Sequence, residues 1–202
     1  MALKFAVNNS LSAITSLPSS ISGGALNLIS TQTASGSATI EFTTGIDSTY
    51  DSYVFKFIDI HPATDDVSFT FNMSTDSGSN YNVTKTTTAF RAYHDEADTA
   101  TALEYQATRD LAQSTDFQIL TLGGLGNDND QNVSGSLTLF NPASTVFVKH
   151  FIVRSSTVQP EDYAIDSFVA GYANTTSAVN AIQFKMSSGN IDDGIIKMYG
   201  VS

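Results

Sequence analysis

The sequence predicts an all-β protein: an antiparallel β-sandwich of jelly-roll type with an extended N-terminal arm. Three observations predict it. From Ala38 onward, apolar and polar residues alternate with a period of two in segment after segment. Turn signals separate those segments: His61-Pro62, Asp76-Ser77-Gly78, Asn141-Pro142 and Ser188-Gly189-Asn190. Ser and Thr form about a quarter of the chain. Ser competes with helix by bonding its own backbone, and Thr is stiff at χ1, so this mixture favours strands and turns.

Residues 1–36 stand apart from the rest. They are low in charge, rich in Ser and Thr, and interrupted by Pro18 and Gly23-Gly24. Their apolar residues (Leu11, Ile14, Leu17, Ile21, Leu26 and Leu28) are spaced too irregularly for a helix. Such a segment is expected to be an arm that orders against a partner, with those six residues as its assembly contacts. Residues 37–202 are then the sandwich domain. Within it, "VSFTFNM" puts Val67, Phe69, Phe71 and Met73 on one face and Ser68, Thr70 and Asn72 on the other, the pattern of a half-buried strand. Segments 53–60, 117–122, 136–140, 145–153, 181–186 and 194–201 read similarly. A helical turn or two is expected at Ala102–Ala112. About eight strands with little helix make a sandwich.

The loop "GGLGNDNDQ" (123–131) carries most of a calcium β-roll repeat, but Asp130 stands where the pattern needs an apolar residue and no second repeat follows. As an EF-hand loop starting at Asp128, it has Val133 in place of the required Gly and Leu139 in place of the bidentate Glu. The pair Asp128 and Asp130 is what remains as a calcium candidate, and no cofactor is expected. The loop is expected to join two strands, its glycines supplying positive φ and its Asn and Asp side chains bonding the turn.

Other chemistry reads as structural. "DEAD" at Asp95–Asp98 lacks an upstream phosphate loop. His61, His94 and His150 share no metal-ligand spacing, and Asp65-Asp66 and Asp192-Asp193 are adjacent pairs in turns, not carboxylates facing each other across a bond. No Gly-x-Ser-x-Gly elbow occurs, so no catalytic residue is assigned. Tyr50, Tyr53, Tyr81, Tyr93, Tyr105, Tyr163 and Tyr172 sit near turns and strand ends, as core-rim residues or as contacts for sugars or neighbouring subunits. A net charge of −11 with nine scattered basic residues argues against a nucleic-acid partner. There is no cysteine, no recognisable secretory leader, and no apolar run approaching the length of a membrane span.

Three segments resemble a group of marine bacteriophage virion proteins: Ile40–Thr88, "LFNPASTVFVKHF" (139–151) and "GYANTTSAVNAIQFKMSSGNIDDGIIKMYGVS" (171–202). The closing Gly-x-Ile-x-x-Tyr-Gly element, Gly194 to Gly200, is similar to the last strand of many phage appendage domains. The likeness covers roughly residues 38–202 and carries no catalytic or metal-binding residues. It implies a structural protein on the virion surface, made in the host cytoplasm and released with the particle. The expected form is a trimeric capsid decoration (cement) protein that grips neighbouring capsid subunits through its arm. The alternative is a receptor-binding module of a tail or head fibre that contacts host surface glycan.

Overall fold

A computed structural model describes residues 25–202. Twelve strands form two antiparallel sheets: β1 (Leu26–Ser37), β2 (Ile40–Phe42), β3 (Ser52–Pro62), β4 (Phe69–Ser74), β5 (Lys85–Asp95), β6 (Thr101–Tyr105), β7 (Gln118–Ile119), β8 (Val133–Phe140), β9 (Lys149–Val158), β10 (Tyr163–Ala173), β11 (Ala181–Met186) and β12 (Ile191–Val201). The large sheet runs β1-β12-β3-β8-β9-β10-β5-β6 and the small one β2-β11-β4-β7. This is the antiparallel sandwich that the period-two pattern predicts.

The topology divides the large sheet. Setting aside the hairpins β5–β6 and β9–β10, the remaining eight strands form two four-stranded layers, β1-β12-β3-β8 over β2-β11-β4-β7. The two hairpins then extend the first layer by four strands. The scaffold half and the inserted half are held together by different means.

Between the scaffold layers lies an aromatic core built from alternate residues of facing strands. Phe184 on β11 is its hub, with ring centroids 5.3 Å from Phe57, 5.7 Å from Phe55, 5.8 Å from Phe69, 6.3 Å from Phe71 and 6.4 Å from Phe42. Beneath the inserted half the small sheet reaches only part of the way, through Phe71 on Phe151 and Gln118 on Thr87. The rest of that inner face is covered by the irregular chain between β6 and β8, whose backbone polar groups need partners once buried. The sheet supplies them from Ser, Thr and Arg side chains. Ser155 Oγ donates to Leu120 O (2.7 Å), Leu122 N donates to Ser167 Oγ (3.0 Å), and Leu111 N donates to Thr87 Oγ1 (2.8 Å). Arg91 Nη1 donates to Leu122 O (2.7 Å).

Several sequence expectations change. The arm does not extend to residue 36, because Leu26–Ser37 is a strand of the large sheet, paired along its length with β12. Its apolar spacing is irregular because it is an edge: Ala34 alone is buried, while Leu26 and Leu28 are exposed. Leu11, Ile14, Leu17 and Ile21 lie outside the described residues. The helix expected at 102–112 is instead β6 followed by turns, because Ala102 to Tyr105 pair with Phe90 to Tyr93 of β5. Segment 117–122 pairs only at Gln118 and Ile119; the rest belongs to the covering chain. Segment 145–153 becomes a strand only at Lys149, leaving Val146 and Phe147 exposed. Both faces of β4 are buried, since Ser68, Thr70 and Asn72 are covered by loops: Asn72 Nδ2 donates to Tyr81 O (2.7 Å) and Thr115 O (2.9 Å).

Candidate interaction surface

Two surface regions collect the residues that chemistry could use: one acidic end of the sandwich, and the outer face of the large sheet.

The acidic end gathers the loops around 59–66, 95–98, 128–130, 161–162 and 192–193. These hold more than half of the chain's 20 carboxylates and no Lys or Arg. An open cleft of about 430 Å³ lies there, lined by residues that include Asp59, His61, Asn129, Asn132, Asp192 and Asp193. His61 Nε2 is 3.2 Å from Asp128 O, and its Nδ1 is 3.8 Å from Asp192. Asp128 and Asp130 are exposed, and among the described residues no three His, Asp or Glu side chains converge to hold a metal. His61, His94 and His150 stand on three different strands, β3, β5 and β9.

The loop 123–131 is built differently from expectation. Positive φ in this chain's glycines occurs at other positions; Gly123, Gly124 and Gly126 are needed for close approach instead. A Cβ at Gly124 would run into the Asp66 carboxylate, and one at Gly126 into the Gln131 amide. Leu125 is buried, and its backbone N–H and C=O pair with Val67. The hydrogen bonds onto the turn come from outside its own Asp pair: Asn127 N donates to Asp65 Oδ1 (3.3 Å), and Asp128 N to the Gln131 side chain (3.5 Å). "DEAD" is likewise a turn. The Asp95 carboxylate accepts from Thr99 N and Ala100 N (2.8 Å each) and from the Thr99 hydroxyl, and these bonds hold its pKa below the usual range.

The outer face of the large sheet is the opposite in character. Among the described residues nine large apolar side chains are exposed. Seven of them stand on strands of this sheet (Leu26, Leu28, Phe90, Leu103, Tyr105, Phe140 and Ile152), and Val146 and Phe147 follow in the loop after β8. None stands on the small sheet. The residues alternate with the buried core positions, so along each strand they share one face.

Pairing register sets the centre of this face. Arg154, Phe168, Phe90 and Tyr105 are successive cross-strand partners on β9, β10, β5 and β6. The Phe168 and Phe90 rings stack at 4.7 Å and 4°, and the Arg154 guanidinium lies 5.0 Å from the Phe168 centroid on that row. Arg154 is also forked onto Asp166 at 3.0 and 2.7 Å, a bidentate pair that raises the arginine's pKa. The result is a ridge flanked by two shallow troughs. One is lined by Thr88, His150, Ile152, Ala170 and Tyr172, the other by Ala92, His94, Leu103 and Ala164. Row alignment was not legible in the sequence, because it depends on which strands pair. The only available signal was the aromatic content of "AFRAY" and "DSFVAGY".

The tyrosines divide by position. Tyr53 is fully buried, its hydroxyl donating to Asp47 O (2.9 Å) and accepting from Asp47 N (3.0 Å). Burial is the main cause that pushes Tyr81 up to about 12. Tyr105 is tied to Asp110, and Tyr93 packs edge-on against Tyr163. Two lysines escaped notice in the sequence: Lys85 and Lys149, which open β5 and β9 and are fully buried. Lys85 Nζ donates to Asn72 Oδ1 (2.6 Å) and Val83 O (2.7 Å); Lys149 Nζ donates to Thr175 O (3.1 Å). Burial pushes both amines down, Lys85 to about 7.

Comparison with protein-family models, with curated proteins and with solved structures finds no match to this chain.

Proposed function

We propose that this chain is a structural subunit of a bacteriophage virion, a decoration-type β-sandwich that lies against the particle through the outer face of its inserted half. The observation that carries the reading is the one-sided distribution of exposed apolar residues. Phe90, Leu103, Tyr105 and Ile152 share a face on which the charge of Arg154 is neutralised by Asp166. A contiguous apolar patch on one side of an acidic chain is the mark of a covered surface. The resemblance of segments 40–88, 139–151 and 171–202 to phage virion proteins supports the setting. The strand order supports reading the scaffold as a jelly roll, two four-stranded layers that the hairpins β5–β6 and β9–β10 enlarge. On that reading the hairpins are the site grafted onto a common frame.

The stacking on the ridge favours a protein surface over glycan as the ligand. Sugars pack on a free aromatic face, and both faces of Phe168 are taken, by Arg154 and Phe90. Leu103→Lys and Ile152→Lys in the full chain should abolish co-sedimentation with virions stripped of the protein while the chain stays folded. Removing residues 1–24 tests the arm separately and spares β1, which a cut at residue 30 would destroy. Loss of binding on that deletion, with the Lys variants still bound, would transfer attachment from the sheet to the arm. A glycan array is the check on the fibre alternative.

A further inference from the structure

The four sheet edges are unequal. Three are short: β6 has 5 residues, β2 has 3 and β7 has 2. Short edge strands are one of the ordinary protections against unwanted pairing, as are charges and prolines placed on an edge. The fourth edge, β1, has 12 residues, "LNLISTQTASGS", without a charged residue or a proline. Among the described residues it pairs only with β12. Its single bulge against β12 is at Leu28/Ser30, so register is unbroken from Ser30 onward, and Thr31, Gln32 and Thr33 are exposed in succession. A long, neutral open edge is a template for strand addition.

We infer that β1 pairs with β1 of a second copy, antiparallel, about a two-fold axis normal to the sheet near Gln32. Charge selects this occupant. Two chains of net charge −11 repel wherever their carboxylates meet, and β1 is a long surface element with none. The acidic end lies beside the C-terminal end of β1, where Ser35 is opposite Asp193. Antiparallel pairing sends the two acidic ends in opposite directions, so that the two Ser35–Asp193 positions stand about 20 Å apart along the strands at roughly 3.4 Å per residue. That is more than twice the ~8 Å screening length at physiological salt. Thr and Ser opposite one another across strands stabilise the pair, and an isologous contact closes on itself as a dimer. The pairing fuses two large sheets edge to edge with their outer faces on the same side. It is a two-fold contact, distinct from any three-fold contact of the expected trimer, and it does not rest on the attachment reading.

Sedimentation velocity on the full chain tests the inference. The expected result is a dimer of the 21.5 kDa chain, with association weakened at least tenfold in a Thr31→Lys/Gln32→Lys variant of unchanged circular dichroism. Because the chain has no cysteine, Gln32→Cys, which the two-fold sets opposite itself, provides an independent readout. Mild oxidation should cross-link it to a covalent dimer, whereas Ser79→Cys, in the loop between β4 and β5, should stay uncross-linked. A monomeric full chain overturns the inference, whether the edge is bare or taken by residues 1–24. So does a dimer that survives the double substitution and does not cross-link through position 32. The Leu103→Lys and Ile152→Lys variants should still dimerise, which keeps failure of this contact separate from failure of attachment to the particle.

Discussion

The scaffold half and the inserted half of the large sheet share one hydrogen-bonded plane but are covered by different material. Over β3, β8 and β12 lies a second sheet that satisfies its own backbone, so the interface can be wholly apolar and aromatic. Over much of β9, β10 and β5 lies irregular chain that cannot, so the inward positions there include Ser155, Ser167 and Thr87. The outer faces differ in turn. The scaffold side carries Lys56 and Lys197 as neighbours across β3 and β12, and the inserted side carries the Phe90–Phe168 ridge. Polar residues therefore join Phe151, Val153, Ile165 and Val169 on the inward face of the hairpins, while Phe90 and Phe168 stand outward. The arrangement follows from what each face must touch.

The comparison can be broken at its strongest point by Phe184→Ala. Removing the ring that five others pack around should cost about 3–5 kcal/mol in a denaturant titration, because the layers cannot collapse into the gap. A loss under about 1 kcal/mol would mean the scaffold core is not the main source of stability.

The next effect is on the seam. Lys85 ties the first inserted hairpin to Asn72 of the small sheet with its amine pushed down to about 7 from an ordinary 10.5. The unfolded chain therefore binds the proton more tightly than the native one between those values. Stability from this group rises with pH across about 7 to 10.5 and is flat below that window. In Lys85→Met the rise should be lost relative to the parent chain, measured by unfolding at pH 7 and pH 10. An unchanged slope would contradict a buried, proton-poor lysine.

A smaller loss is expected from Ser167→Ala, which leaves Leu122 N without its buried acceptor at a cost of about 1–3 kcal/mol. Faster hydrogen exchange should appear in residues 120–125 and spare β11. Exchange that rises equally in both halves would erase the distinction between them. Leu103→Lys should be the quietest, within about 0.5 kcal/mol of the parent, because its side chain is 73% exposed in the isolated chain. A large destabilisation would mean that this face is part of the fold and not a contact surface.

The sequence made the scaffold legible and the inserted half largely opaque, for one physical reason. Strands that set apolar residues on the core face and polar ones on the other write a period of two, even where loops cover the polar face as on β4, so "VSFTFNM" and "AIQFKM" are readable and fall where β4 and β11 stand. "KTTTAFRAYHD" and "YAIDSFVAGYA" place Thr87, Arg91 and Ser167 among their inward positions and Phe90 and Phe168 on the outer face, so the pattern blurs and β5 and β10 escape it. β1 was hidden because an edge strand has little to bury. The glycines of "GGLGNDNDQ" were visible as special, but composition does not separate positive φ from close packing, and only Asp66 and Gln131 reveal the latter.

Attachment through the inserted face is the central claim, and a single cysteine probes it directly in a chain that has none. Leu103→Cys should react quickly with a thiol reagent in the free protein and at least tenfold more slowly on the virion, while Ser79→Cys reacts equally in both. Equal labelling of position 103 in the free and particle-bound protein would contradict the account.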